Sequence, residues 1–190
     1  MRLIPHALTF FRLLAAPSLA WLVVHLRYPE AMMLVAVAGI TDWLDGYTAR
    51  RLGVTGKLGV ILDPLADKIM LVTLFFALAY AAVIPAWVVV LVMARDVVIV
   101  SGALLLRMFR NVRTFLPSIL GKISTFFQIV FVVMALLDAA VHLAFVRWLR
   151  FLALLLTAFF TTLSWLDYVN RGTRMAKGGF QFTAAASPRE

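Results

Sequence analysis

Residues 42–67 read DWLDGYTARRLGVTGKLGVILDPLAD, and this stretch holds four of the nine acidic residues in a chain of 190. Asp42 and Asp45 are three residues apart, and Asp63 and Asp67 are four apart, so each pair shares one face if its segment is helical. Apolar runs flank the stretch on both sides. The fold and the chemistry must therefore both accommodate four carboxylates within an otherwise apolar chain.

The composition around this stretch is typical of an integral membrane protein. Apolar residues make up 64% of the chain and charged residues 14%, whereas soluble domains contain roughly 45–50% and about 25%. A soluble domain of this size could not bury so much apolar surface. The chain has no cysteine, which excludes structural disulfides and thiolate metal sites.

Polar or proline-containing breaks divide the chain into six apolar segments, each long enough for a membrane-spanning helix of roughly 20 residues. We predict an all-α fold, with six transmembrane helices forming one bundle over residues 1–170 and a disordered cytoplasmic tail over residues 171–190. A signal peptide is an alternative for the first segment, but Arg12 interrupts it and favours a retained span. The predicted spans cover residues 7–26, 31–49, 60–80, 85–106, 118–138 and 148–168.

The distribution of basic residues predicts the orientation. With the N-terminus inside, the outer loops hold only Arg27 and Arg147, so the positive-inside rule places both termini in the cytoplasm. The net charge of +9 is typical of cytoplasmic loops that contact anionic lipid, and we predict no nucleic-acid partner. Asp42 lies roughly 16 Å into the second span. We therefore predict an integral protein of a bacterial-type inner membrane, with its acidic site facing the cytoplasm.

The clustered carboxylates favour a divalent metal site. Two carboxylates about 4 Å apart repel by roughly 1 kcal/mol in water and about 4 kcal/mol at an effective dielectric constant of 20. Hard oxygen ligands, without cysteine or suitably spaced histidine, suit Mg²⁺ or Mn²⁺ rather than zinc. Polar side chains that only join helices are the alternative, but acidic residues inside a membrane are costly and usually functional.

The residues that follow the first acid pair favour a phosphate ligand. Gly46 and Ala49 continue the face of Asp42 and Asp45, and small residues allow a bulky ligand to approach closely. Arg50 can bind a phosphate through its two-pronged guanidinium. Together these residues predict a site for a metal-chelated phosphate ester.

The stretch resembles the signature of the CDP-alcohol phosphatidyltransferase family, D-x2-D-G-x2-A-R-x8-G-x3-D-x3-D, and fills every defining position. The resemblance implies transfer of a phosphatidyl or similar group from a CDP-linked donor to an alcohol, with release of CMP, and it suggests a homodimer. It implies two divalent ions, Mg²⁺ or Mn²⁺, whose ligands are Asp42, Asp45, Asp63 and Asp67. Asp67 would also be the general base that takes the proton of the acceptor hydroxyl.

The resemblance also assigns residues to the CDP-linked donor. Residues 4–17, IPHALTFFRLLAAP, are similar to the family's I-P-N-x-L-T-x2-R-x4-P, with His6 where asparagine is usual. The loop position where many members carry serine or threonine falls at Gly56, so a neighbouring side chain would substitute. The predicted donor-binding residues are His6, Gly46, Ala49, Arg50, Thr55, Lys57 and Gly59.

The second half of the chain bears on the acceptor alcohol. Its segments MARDVV at 93–98 and GKIST at 121–125 resemble eukaryotic-type cardiolipin synthases, which favours phosphatidylglycerol. Glycerol 3-phosphate is the alternative acceptor. A transporter or channel would need polar groups across the whole bilayer, and the outer halves of the spans lack them. The predicted acceptor-binding residues are Arg95, Arg110, Arg113 and Lys122.

Replacing Arg50 with lysine tests the phosphate interpretation. Arg50→Lys keeps the positive charge but loses the bidentate geometry, so we expect the KM for CDP-diacylglycerol to rise. Steady-state kinetics with purified enzyme in detergent micelles measure this change. An unchanged KM would assign Arg50 to an ordinary basic cytoplasmic loop.

Overall fold

The computed structural model describes the backbone of residues 4–52, 59–110 and 119–178, and the side chains of residues 14–41, 66–102, 119–170 and 173. Within these ranges the chain forms six α-helices and no strand. In chain order they are α1 (Ile4–Val24), α2 (Tyr28–Leu52), α3 (Gly59–Tyr80), α4 (Ala86–Arg110), α5 (Ile119–Val141) and α6 (Ala144–Gly178).

Each of the six predicted segments corresponds to one helix, so the all-α prediction is confirmed. Among the described residues, two helical segments are long and apolar enough to cross a membrane, Ile119–Val141 and Ala144–Asn170. By length and composition these segments agree with a membrane protein. Six spans and cytoplasmic termini stay predictions.

Helix α6 differs from the prediction at its end. The predicted tail begins at Arg171, but the helix continues through Gly178. Hydropathy marks where a span becomes polar, whereas arginine, methionine, alanine and lysine all have good helix propensity and can continue the helix beyond that point. The remaining predicted tail, residues 179–190, lies outside the described residues.

In the parts of the chain that the structure describes, three short turns join consecutive helices, and each contains a residue in the left-handed region. These residues are Leu26 (φ 58°), Ala82 (φ 55°) and His142 (φ 54°). After α1, the amide of Leu26 donates to the Val23 carbonyl and that of Arg27 donates to the Leu22 carbonyl. These two bonds form a Schellman motif, and α3 ends in the same way. The carbonyls at these helix ends are thus satisfied within the chain.

The helices form two compact units. The first contains α1, α2 and α3, the part of α5 from Phe131 onward, and α6 as far as Phe151. In this unit α1 packs against both α2 and α3. Fully buried side chains in its core include Leu19 and Leu78, and the rings of Phe75 and Phe131 lie 6.3 Å apart.

An ion pair in the first unit connects α5 to α6. Asp138 is 6% exposed, and its Oδ2 lies 3.1 Å from Nη1 of Arg150. The same nitrogen donates a hydrogen bond to the Val83 carbonyl at 3.3 Å. Arg147 approaches the other carboxylate oxygen at 3.9 Å. One carboxylate therefore holds the start of α6 against the end of α5, and Arg150 also fixes the turn between α3 and α4.

Arg150→Met should destabilise the fold because it leaves the buried carboxylate of Asp138 without its close partner. We expect the free energy of unfolding to fall by about 1–3 kcal/mol, which thermal unfolding in detergent micelles can detect. An unchanged unfolding midpoint would show that Arg147 alone compensates the charge of Asp138.

Arg27→Met provides the matched control for that measurement. Arg27 donates from Nε and Nη2 to Oε1 of Glu30 at 3.0 and 2.8 Å, and these hydrogen bonds lower the pKa of Glu30 below its ordinary value. Both side chains are well exposed, at 50% and 43%. Exposed pairs contribute little to stability, so the unfolding midpoint should stay within experimental error.

Candidate functional site

The acidic motif lies on two helices, within the predicted spans 31–49 and 60–80. Asp42 and Asp45 belong to α2, and Asp63 and Asp67 belong to α3. Helical backbone at these positions gives each pair the spacing of neighbours on one helix face. The side chains of Asp42, Asp45 and Asp63 lie outside the described residues, whereas Asp67 is exposed and follows the buried Ala66.

The predicted metal ligands are carboxylates, which suit Mg²⁺ or Mn²⁺. Among the side chains that the structure describes, no three histidine, cysteine or acidic residues come together as a metal site. Asp67 is the only predicted ligand within that set. The set of four carboxylate ligands therefore stays a prediction. The exposed carboxylate of Asp67 is compatible with it.

The predicted donor-binding residues fall mainly on helix ends around the loop between α2 and α3. Gly46, Ala49 and Arg50 lie in the last turns of α2, and Gly59 is the first residue of α3. Free amide groups and the partial positive charge at a helix N-terminus favour phosphate, which fits a diphosphate near Gly59. The side chains of Ala49, Arg50 and His6 lie outside the described residues. Thr55 and Lys57 lie outside them entirely.

Arg95 lies in the second unit, which contains α4, α5 as far as Val130 and α6 from Leu152. It is 7% exposed. Its Nη1 donates to Oδ1 of Asp96 at 2.8 Å, and its Nη2 donates to the Gly121 carbonyl at 3.3 Å. Nε and Nη2 also donate to Oγ of Ser164 at 3.3 and 3.1 Å, and the guanidinium carbon lies 5.8 Å from the ring centroid of Tyr168.

These five residues, Arg95, Asp96, Gly121, Ser164 and Tyr168, form what we call the Arg95 cluster. A buried charge is costly unless it is paired and hydrogen-bonded, and every nitrogen of this guanidinium has a partner. The contacts come from α4, α5 and α6, so Arg95 holds three helices together. The predicted contact of Arg95 with an acceptor stays a prediction.

A layer of buried polar side chains continues from the Arg95 cluster between α5 and α6. Oγ of Ser124 and Oγ1 of Thr161 lie 3.0 Å apart, and Nε2 of Gln128 donates to both oxygens at 3.2 and 3.3 Å. Oγ1 of Thr157 donates to the Phe127 carbonyl at 2.9 Å. Interhelical hydrogen bonds of this kind join helices in an apolar environment, and they fix how α6 packs on α5.

The other predicted acceptor residues differ in what the structure describes. Lys122 follows Gly121 in the first turns of α5 and is exposed. Arg110 is the last residue of α4, and its side chain lies outside the described residues. Arg113 lies outside the described residues altogether. Of the four predicted acceptor residues, Lys122 is therefore the one whose described side chain is exposed to a ligand.

The sequence interpretation missed Ser164, Tyr168, Asp138 and Arg150. Asp138 could have been found, because an acidic residue at the end of an apolar helix needs a partner. Arg150 lies near the start of α6, just after the turn that ends α5, and is a suitable cation to pair with this carboxylate. Ser164 and Tyr168 gave no signal, since an isolated serine or tyrosine in an apolar helix has many possible roles.

A comparison with protein families matches residues 2–163 to the family described as CDP-alcohol phosphatidyltransferase. A CDP-diacylglycerol–glycerol-3-phosphate 3-phosphatidyltransferase from Aquifex aeolicus is 30% identical over 180 residues, which cover 90% of this chain and 97% of that protein. A chloroplastic enzyme of the same name from Oryza sativa is 30% identical over 152 residues, with 71% and 46% of the two chains covered.

A human relative has a different name. Cardiolipin synthase (CMP-forming) from Homo sapiens is 30% identical over 188 residues, which cover 90% of this chain and 62% of the human protein. The chain thus spans less than two thirds of the rice and human proteins and nearly all of the Aquifex protein. Equal identity to the Aquifex and human proteins does not distinguish the two activities.

Proposed function

Because the chain belongs to the CDP-alcohol phosphatidyltransferase family, we propose that it transfers the phosphatidyl group of CDP-diacylglycerol to phosphatidylglycerol. A free hydroxyl oxygen of phosphatidylglycerol forms a bond to the phosphatidyl phosphorus. The bond from that phosphorus to the oxygen shared with CMP breaks. The products are cardiolipin, CMP and a proton. The family assignment makes the chain an enzyme, and the acceptor is the finer part of the proposal.

One observation supports the proposal most directly. The complete acidic signature falls on two consecutive helices, with α2 carrying Asp42 and Asp45 and α3 carrying Asp63 and Asp67. Asp67, the proposed base, is exposed and therefore accessible to a substrate. A carboxylate within hydrogen-bond reach of a hydroxyl group can accept its proton as the phosphorus–oxygen bond forms.

The proposed site divides its tasks among a few residues. Asp42, Asp45, Asp63 and Asp67 would hold two ions, Mg²⁺ or Mn²⁺. Such ions neutralise a diphosphate and stabilise the charge that develops on the leaving group. Arg50 binds the diphosphate through its guanidinium, and the amides at the start of α3 add further donors. Asp67 takes the proton of the acceptor.

The proposed substrates require a bilayer. CDP-diacylglycerol and phosphatidylglycerol are both held there by two acyl chains, and α5 and α6 contain segments apolar enough to cross it. A cytoplasmic-facing site in a bacterial-type inner membrane gives CDP-diacylglycerol access from the lipid and releases CMP to water. Assembly as a homodimer belongs to the same proposal.

Glycerol 3-phosphate is the second candidate acceptor. The Aquifex aeolicus relative, whose name specifies this acceptor, is covered over 97% of its length. The two acceptors share an anionic phosphate but partition differently between water and lipid. Glycerol 3-phosphate reaches the site from water, whereas phosphatidylglycerol reaches it laterally from the bilayer. In favour of the lipid acceptor are the resemblance of residues 93–98 and 121–125 and the sequence Arg107–Pro117, which offers three arginines and little else to enclose a small solute.

Asp67→Asn should nearly abolish turnover, because the amide cannot accept the hydroxyl proton. General base catalysis contributes roughly 10²–10⁴-fold, so we expect kcat to fall at least a hundredfold while donor binding is partly retained. Chelation with EDTA should also abolish activity, and Mg²⁺ or Mn²⁺ should restore it. A variant that keeps more than about a tenth of the parental rate would exclude Asp67 as the base.

An acceptor assay tests the substrate directly. Purified enzyme in micelles receives labelled CDP-diacylglycerol with either phosphatidylglycerol or glycerol 3-phosphate, and the lipid products and CMP are quantified. We expect cardiolipin and an equal amount of CMP with phosphatidylglycerol. Product with glycerol 3-phosphate alone would overturn the cardiolipin assignment in favour of the second candidate, and no product with either acceptor would overturn both.

A further inference from the structure

Lys122 is exposed in the first turns of α5, directly after a residue that the Arg95 cluster holds. Nη2 of Arg95 donates to the Gly121 carbonyl at 3.3 Å, and Oγ1 of Thr125 donates to the same oxygen at 3.1 Å. Gly121 is itself buried. The backbone next to Lys122 is therefore held by Arg95 of α4 and by Thr125 of α5.

The hydroxyl of Ser164 links this part of α5 to α6. Ser164 is fully buried and accepts hydrogen bonds from Nε and Nη2 of Arg95 at 3.3 and 3.1 Å. Nη2 is thus shared between α5 and α6. Only a planar guanidinium presents donors in the directions that all these acceptors require, so lysine could not reproduce the arrangement.

We infer that Arg95 is a positioning residue, which holds the start of α5 so that Lys122 presents its ammonium group to the phosphate of the anionic acceptor. This inference rests on the proposed function and on the predicted contact of Lys122 with the acceptor. Arg95 itself does not touch the substrate, because its nitrogens are occupied by Asp96, Gly121 and Ser164. The phosphate is shared by phosphatidylglycerol and glycerol 3-phosphate, so the inference applies to either acceptor.

A double-mutant cycle between Arg95 and Lys122 tests the inference. The variants are Arg95→Met, Lys122→Ala and the combination of the two, with the KM for acceptor, the KM for CDP-diacylglycerol and kcat measured for each. A charge-assisted hydrogen bond to phosphate is worth about a tenfold change in binding. We expect each single variant to raise the acceptor KM about tenfold, with little change in the donor KM.

The double variant provides the decisive comparison. If Arg95 acts through Lys122, Arg95→Met should change the acceptor KM less than about twofold once Lys122 is alanine. Ser164→Ala, which removes one partner of Arg95 and keeps the charge, should raise the acceptor KM in the same direction by a few-fold. This second variant keeps the test valid if Arg95→Met does not fold.

Arg150→Met is the matched control. Arg150 is also paired with an aspartate and donates to a backbone carbonyl at 3.3 Å, but it contacts the opposite end of α5 from Lys122. It should lower thermal stability and leave the acceptor KM unchanged. If it raised the acceptor KM as much as Arg95→Met does, the effect would be general destabilisation and the inference would be overturned.

The outcomes separate this inference from the proposed function. Independent tenfold effects of Arg95→Met and Lys122→Ala that multiply in the double variant would overturn the positioning role and leave the activity intact. An unchanged acceptor KM in Lys122→Ala would overturn the contact of Lys122 with the acceptor, and the positioning role with it. Absence of product with both acceptors in the parental enzyme would instead overturn the proposed function.

Discussion

The pairing of charges inside apolar helices constrains this structure more than any other interaction. Apolar packing is abundant in a chain of this composition, whereas a buried ion without a partner would cost several kcal/mol. Among the described side chains, each unit has an arginine–aspartate pair whose arginine also donates to a backbone carbonyl: Arg150 with Asp138 in the first unit, and Arg95 with Asp96 in the second. In each unit the pair fixes which helices are neighbours, because an arginine has few other places where its charge is satisfied.

Three of the described aspartates, Asp67, Asp96 and Asp138, differ in their environment. Asp138 is buried beside Arg150. The side chain of Asp96 is 15% exposed and lies beside Arg95. Asp67 is exposed and lies on a helix that carries a second acid one turn earlier. A buried, paired carboxylate suits a structural role. An accessible carboxylate can exchange protons and ligands, and this is the property that a catalytic acid motif requires.

The sequence predicted the helices well because hydropathy alone marks them. Each predicted span overlaps one helix, and the family match over residues 2–163 confirms the resemblance that the acidic motif indicates. The end of α6 was predicted too early, since hydropathy reports polarity and Arg171 is polar but compatible with a helix. The placement of the acid pairs on α2 and α3 followed from the apolar segments that contain them.

The partners of Arg95 could not be predicted, because they are tertiary contacts between distant parts of the chain. Gly121 and Ser164 lie 26 and 69 residues from Arg95 in the sequence, and neither residue carries a charge that would suggest the contact. Sequence reasoning treated Arg95 and Lys122 alike, as cations for an anionic acceptor. Burial distinguishes them, since one guanidinium is enclosed by three helices while the neighbouring ammonium is exposed.

The left-handed turns at Leu26, Ala82 and His142 also bear on how the six predicted spans would enter a membrane during synthesis. Turns of two to five residues are too short for one helix of a pair to become embedded while the next remains in water at the opposite surface. Each pair is therefore suited to insertion as a helical hairpin that closes its own backbone hydrogen bonds and loses little loop entropy. In such a hairpin the more hydrophobic α1 would accompany α2, which carries Glu30, Asp42 and Asp45, so this acidic helix need not enter the lipid alone.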